Sequence, residues 1–315
     1  MNQAVKIATV TLNPAIDRTI YIPDFRAGRV NRVEKEQSDA GGKGVNVASV
    51  LADYGLSLAV TGFLGRENIA IFEQLFSRKK IDDHFVRIDG STRTGIKIID
   101  EVHRETTDLN FPGQPPTPAD LSQLLQIVES LTADCTWFVL AGSIPAGVSI
   151  DIYRELVELI KGKGRLVALD TSGRPLKESL SAAPTLIKPN TDELREITSS
   201  SLNSQTKLVQ AGRRLLNRGI ETVIISMGEY GALFIEADEV VLARPPHVTV
   251  KSTVGAGDAM VSGTLAGKVQ GLSLADSARL GTAFSLSAIT QVGSGLPSLE
   301  AVEEFKRQIE LEELN

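Results

Sequence analysis

The sequence holds one cysteine, Cys135, and three histidines in 315 residues. A lone cysteine excludes an intramolecular disulfide and any cysteine-rich zinc site. Cys135 precedes the apolar run Thr136-Trp137-Phe138-Val139-Leu140, expected to be a core strand, so its thiol reads as inert packing. His84 and His103 have no partners at ligand spacing and are assigned no chemistry. No apolar run reaches the ~20 residues of a membrane-spanning helix. Lys6 leads straight into a strand pattern, with nothing resembling a signal peptide before it. A cytoplasmic protein that does not contact the membrane is expected. A basic excess is missing as well: the net charge of −6 argues against a general nucleic-acid surface. An anionic substrate would need a local cluster of Lys or Arg. Internal repeats, low-complexity segments and interdomain linkers are also lacking, so residues 1–315 are expected to form a single domain.

What is present is ordinary for a globular chain: 42% hydrophobic and 23% charged residues, enough for a sizeable core. From Thr117-Pro118 onward, strand and helix patterns alternate, which argues a parallel sheet covered by helices with right-handed crossovers. The strand ends carry polar loops at Gly142-Ser143, Asp170-Thr171-Ser172-Gly173 and Lys188-Pro189-Asn190. Such loops gather on one rim, the ligand side of an α/β sheet. Two stretches, about 18–38 and 93–110, read instead as charged strand pairs outside the main body. Within the first, strands are expected at Arg18 to Pro23 and Asn31 to Ser38. Together the two stretches are expected to form a small β lid.

The most informative stretch is Ser252-Thr253-Val254-Gly255-Ala256-Gly257-Asp258-Ala259, followed by a small-residue helix pattern. Glycines at a helix entrance leave backbone N–H groups uncovered, and the helix dipole is positive there. That is an anion site. A carboxylate inside it, Asp258, suits a base that takes a hydroxyl proton while the amides hold the phosphoryl group under attack. Glycine loops before helices are also common without any chemistry. The dinucleotide fingerprint fails because Met260 stands where its last glycine belongs. Gly42-Lys43 is no P-loop, because Gly44 follows and Gln37 takes the place of the first glycine.

Four other stretches are candidates. Asn13-Pro14-Ala15-Ile16-Asp17 places Asp17 beyond a strand end, where it either meets a ligand or caps a turn. Gly41-Gly42-Lys43-Gly44-Val45-Asn46 offers a point charge and a two-way hydrogen bonder one helical turn apart, or is merely a helix entrance with an exposed lysine. Asn190 to Glu193 either caps a helix or holds hydrated Mg²⁺. Ser226 to Gly231 either covers nucleotide phosphates or forms a hairpin. Arg93, at the base of the second charged pair, either clamps a phosphate or is an ordinary surface arginine, the reading it would carry alone.

These motifs, in this order and spacing across nearly the whole chain, resemble the PfkB branch of the ribokinase-like carbohydrate kinases. The resemblance implies an α/β class fold: a ribokinase-like, mostly parallel central sheet flanked by helices, with a small β-sheet lid. It also implies ATP as donor and Mg²⁺ as ion, held through water by Asn190 and Glu193. Asp258 would be the base, and the amides of Gly255, Ala256 and Gly257 the anion hole. Asn190, Ser226, Met227, Gly228, Glu229, Tyr230, Gly231, Thr253, Gly257, Ala283 and Ser287 would border the nucleotide. Asp17, Gly41, Gly42, Lys43, Asn46, Arg93, Asn110, Ser143 and Asp258 would contact the acceptor.

Lys43, Arg93 and Asn110-Phe111-Pro112-Gly113 are similar to the phosphosugar members of the family, those acting on ketohexose phosphates. Gly95 departs from them, since asparagine is usual there. The implied reaction is phosphorylation of fructose 1-phosphate to fructose 1,6-bisphosphate, with tagatose 6-phosphate or fructose 6-phosphate as alternative acceptors. A sugar-phosphate-binding protein on the same scaffold is the rival of another class; a pure binder gains nothing from a buried base. The exposed lid sheet could pair two subunits into a homodimer.

Overall fold

Ile7, Ala8 and Val10 in strand β1 (Lys6–Thr11) are fully buried, the apolar density that a central parallel strand needs because helices cover both its faces. The computed structural model describes residues 6–198, 202–291 and 295–314. Beyond β1 the chain runs β2 (Ala15–Tyr21), β3 (Lys35–Gly41), α1 (Lys43–Asp53), β4 (Ser57–Gly65), α2 (Ala70–Lys79), β5 (Asp82–Asp83), β6 (Val86–Ile88), β7 (Thr94–Asp100) and β8 (Glu105–Asn110). Strand and helix then alternate through α3 (Pro118–Leu131), β9 (Cys135–Ala141), α4 (Ile152–Gly162), β10 (Leu166–Asp170), α5 (Gly173–Ser179), β11 (Leu186–Ile187), α6 (Thr191–Thr198) and α7 (Gln205–Leu216). An antiparallel run β12 (Thr222–Ser226), β13 (Ala232–Ile235) and β14 (Val240–Arg244) precedes α8 (Ala256–Val269), α9 (Leu274–Ile289), α10 (Leu299–Gln308) and β15 (Glu310–Glu313).

Among the described residues the large sheet has eleven strands in the order β15-β14-β13-β12-β11-β10-β9-β1-β4-β5, with β6 also on β4. Every pairing from β12 to β5 is parallel, and β12 through β15 are antiparallel. One core cluster joins one face to α1, α2, α8, α9 and α10 through Leu51, Phe72, Leu265, Phe284 and Val302. The other joins the opposite face to α3–α7 through Leu124, Leu156, Leu176, Leu194 and Leu215. The expected mostly parallel sheet flanked by helices is therefore present. Cys135 is fully buried, and burial pushes its thiol up to about 11, so it stays protonated and inert.

A second sheet has the order β3-β2-β7-β8, with β2 and β7 parallel. Its first strands lie a few residues from the expected positions. The Asn13-Pro14 turn is so tight that β2 starts at Ala15, and Asp17 sits inside the strand, opposite Asp39 and Gly95. β3 runs three residues past Ser38 to Gly41, because pairing with β2 satisfies its backbone despite its polar sequence.

Helices α8 and α9 pack at unusually close range. A methyl on Gly263 would meet the Leu280 carbonyl oxygen at 2.6 Å, and one on Gly281 would meet Thr264 Oγ1 at 2.4 Å. Glycine is required where backbones approach this closely. No helix among the described residues is long and apolar enough to cross a membrane.

Candidate active site

Gly255, at φ +80°, forms the N-cap of α8, a left-handed conformation open to glycine at little cost. No side chain among the described residues caps this helix. Among its first amides, Ala256 N reaches only Thr253 O, at a long 3.4 Å. The first turn thus keeps amides for an anion. Asp258 sits in that turn, 5% exposed, and its Oδ2 accepts a 2.8 Å bond from Asn46 Nδ2. Asn46 lines a cleft of about 380 Å³ together with Asp17, Asp39, Gly95, Lys97, Asn110, Thr253 and Gly255. The Oδ1 of Asn46 is buried without a partner among the described residues, an acceptor suited to a hydroxyl donor.

Two lysines and a second carboxylate meet Asp258. Lys43 Nζ lies 2.8 Å from Asp170 Oδ2 and 3.7 Å from Asp258 Oδ1. Lys188, 5% exposed, places Nζ 3.4 Å from Asp170 Oδ1. A methyl on Gly257 would lie 3.1 Å from that Nζ, so the ammonium underlies the glycine loop. Burial pushes Asp258 above the usual carboxylate range, and the Asp170 charge adds to it; Lys43, Asn46 and Lys188 pull the other way. Asp170 is also buried, but Lys188 and Lys43 outweigh that burial and hold it below its ordinary value. Lys43 stays charged because Asp170 and Asp258 overcome its own burial.

The small sheet supplies the other wall. Burial raises Asp17 to about 6; Arg93 and Lys97 oppose this, while Asp39 and Asp258 reinforce it. Asp17 fits only because residue 41 is glycine: a methyl there would meet its Oδ2 at 2.0 Å. Arg93 bonds the Asn13 carbonyl at 3.3–3.4 Å, and Asn13 Nδ2 donates to Ser143 Oγ at 3.0 Å. Asn110 ends β8 opposite Gly95. Gly42, at φ +111°, is the N-cap of α1 and starts the turn that carries Lys43 and Asn46.

Among the residues expected to border the nucleotide, Ser226 bridges to Asn190, so the Lys188–Asn190 loop and the β12–β13 turn adjoin. Met227, Gly228, Glu229, Tyr230 and Gly231 form a tight 3₁₀ hairpin turn, with Tyr230 68% exposed. Asn190 Oδ1 accepts from the amides of Asp192 and Glu193, and Glu193 Oε2 accepts from the Asn190 amide. The capping box is therefore real. Ala283 and Ser287 are not at a surface: both are fully buried, and the Ser287 hydroxyl donates to the Ala283 carbonyl.

Sequence reasoning passed over Asp170, Lys188, Asn13 and Lys97. The first two stood in named rim loops, but only the adjacency of β10 and β11 brings them together.

The chain matches the model of the pfkB family carbohydrate kinases over residues 4–301. It belongs to that family. Among similar curated proteins, the 1-phosphofructokinase of Rhodobacter capsulatus is 44% identical, over 98% of both chains. The 1-phosphofructokinase of Escherichia coli strain K12 is 36% identical, over 98% of this chain and 99% of its own. Among solved structures, the phosphofructokinase-2 of Escherichia coli in complex with substrates and products superposes with a TM-score of 0.91 at 26% identity, covering 96% of this chain and 99% of that one. A Thermotoga maritima structure described as a possible 1-phosphofructokinase gives 0.88 at 30% identity, covering 98% and 100%. As a pfkB carbohydrate kinase, this chain is a phosphotransferase with an alcohol acceptor.

Proposed function

We propose that this pfkB kinase acts in the cytoplasm and transfers the terminal phosphoryl group of ATP to fructose 1-phosphate, giving fructose 1,6-bisphosphate. The observation that carries the reading is the buried Asp258, pushed above the ordinary carboxylate range, in the first turn of an uncapped helix. The acceptor comes from the curated relatives at 36–44% identity, named 1-phosphofructokinase. Asp258 takes the proton of the acceptor hydroxyl. That oxygen forms a bond to the terminal phosphorus in line, the bond to the leaving ADP oxygen breaks, and the amides of residues 255–257 hold the equatorial oxygens. Lys188 supports the transferring group from beneath the loop. Asp17 and Asn46 accept from sugar hydroxyls, and Lys43, Arg93, Asn110 and Ser143 hold the sugar phosphate. Ser226 to Gly231 borders the nucleotide.

Among the described residues no group of three or more His, Cys, Asp or Glu could cage a metal. The oxygen donors Asn190 and Glu193, already tied to each other by the capping box, suit Mg²⁺ held through water rather than directly. Bound there, the ion would neutralise charge on the nucleotide phosphates. The four-stranded sheet acts as a lid on a single kinase domain and limits the access of competing water. Every residue of β8 is exposed, and through this sheet two subunits pair.

An ADP-release panel tests the reading, with fructose 1-phosphate, fructose 6-phosphate, tagatose 6-phosphate and fructose as acceptors. Fructose 1-phosphate should give the highest kcat/KM. A higher value for either other phosphate refutes the assigned acceptor, and ADP release independent of any sugar refutes the kinase role.

A further inference from the structure

Lys43 stands between two carboxylates and sits closer to the one that touches no reacting atom. Its ammonium is 2.8 Å from Asp170 Oδ2 and 3.7 Å from Asp258 Oδ1. Asp170, 2% exposed, also takes Lys188 on its other oxygen. Asp258 is left with the longer share of Lys43 and one amide bond from Asn46. In direct contact with Lys43, Asp258 would be a stabilised carboxylate and a poor proton acceptor.

We propose that Asp170 is a positioning residue: it draws the Lys43 ammonium away from Asp258 and so preserves the basicity of the carboxylate that deprotonates the acceptor. The inference rests on the reading of Asp258 as the base. The groups facing Asp258 are Lys43 and Asn46 from α1, Asp170 at the end of β10, Lys188 after β11 and Asp17 from β2. Removing the Asp170 charge acts twice in one direction. It takes away a neighbouring anion, and it releases Lys43 onto Asp258.

The test is the pH profile of kcat, at saturating ATP and fructose 1-phosphate, for the native enzyme, Asp170→Asn, Asp170→Glu and Asp258→Asn. In Asp170→Asn the acid limb should move down by about one pH unit or more, the shift an opposite charge at contact produces. The plateau should fall about tenfold as the base weakens. Asp170→Glu should keep the limb near its native place. An unmoved limb in Asp170→Asn, whatever its losses in kcat and KM, overturns the proposal and leaves Asp170 a structural ion-pair partner. A limb as low in Asp170→Glu as in Asp170→Asn overturns it too. If Asp170→Asn does not fold, Asp170→Ser removes the same charge with a smaller neutral group, carries the same expected downward limb, and an unmoved one overturns the proposal. Near-normal turnover in Asp258→Asn would instead overturn the base assignment, and is distinguishable because it does not depend on residue 170.

Discussion

Replacing Asp17 by Asn should stabilise the folded chain at neutral pH while weakening its grip on the acceptor. Burial is the main reason that Asp17 ionises near 6 rather than at 3.8, despite the opposing Arg93 and Lys97. The displacement is about two pH units, worth about 3 kcal/mol at ~1.4 kcal/mol each. The sign follows from proton linkage. The folded state binds this proton more tightly than the unfolded chain, so the stabilisation is complete below the unfolded value, near 4. It is lost as pH rises through about 6. Asparagine cannot ionise and escapes that loss. Asp17→Asn should therefore exceed the native chain by about 2–3 kcal/mol at about pH 8, with the gap narrowing through pH 6. Urea unfolding midpoints across that range measure it. A gap independent of pH, or a native chain more stable at about pH 8, would refute the reasoning. The same variant should raise the KM for sugar phosphate about tenfold or more, because a hydrogen bond to a charged acceptor contributes ~1.5–3 kcal/mol.

Asp258→Asn should lower kcat by about a hundredfold or more, the usual worth of a general base; near-native turnover would remove Asp258 from the mechanism. Gly41→Ala puts a methyl 2.0 Å from Asp17 Oδ2 and must displace the carboxylate. Its KM for sugar phosphate should rise about tenfold, in step with loss of the Asp17 bond, and an unaltered KM would show that Asp17 does not touch the acceptor. Gly231→Ala combines φ +95° with a contact of 2.0 Å to the Ala243 carbonyl oxygen. It should cost roughly 2 kcal/mol or more, visible as a lower unfolding midpoint; a midpoint equal to the native value would mean that the hairpin turn relaxes freely.

The sheet and the glycine loop were legible because each has a local signature. Alternating apolar runs and helix caps mark β9 to α7 in the sequence, and Gly255-Ala256-Gly257-Asp258 carries its own physical meaning. The buried charge network was not legible in the same way. Asp170 ends β10 and Lys188 directly follows β11, places where polar residues are ordinary, and β11 has only two residues. Their encounter depends on sheet order, which no local pattern encodes. Asn190 and Glu193 show another limit: the bonds that cap α6 come from the same atoms that a hydrated ion would address. The small sheet was located to within a few residues, but its charged, weakly alternating strands left β3 short at one end. Ala283 and Ser287, named for the nucleotide border by resemblance alone, had no local signature of their own, and both are fully buried on α9.

Helices α8 and α9 lock together through backbone contacts too tight for even a methyl group, and Asp258 rides on that pair. Asp17 and Gly95 hang on a thin four-stranded flap whose outermost ribbon faces solvent along its length. With Asp17 and Asp258 in the roles proposed for them, evolution can retool which polyol is accepted by editing the flap, leaving the phosphoryl machinery untouched. Reshaping the α8 end would demand that both helices be rebuilt together.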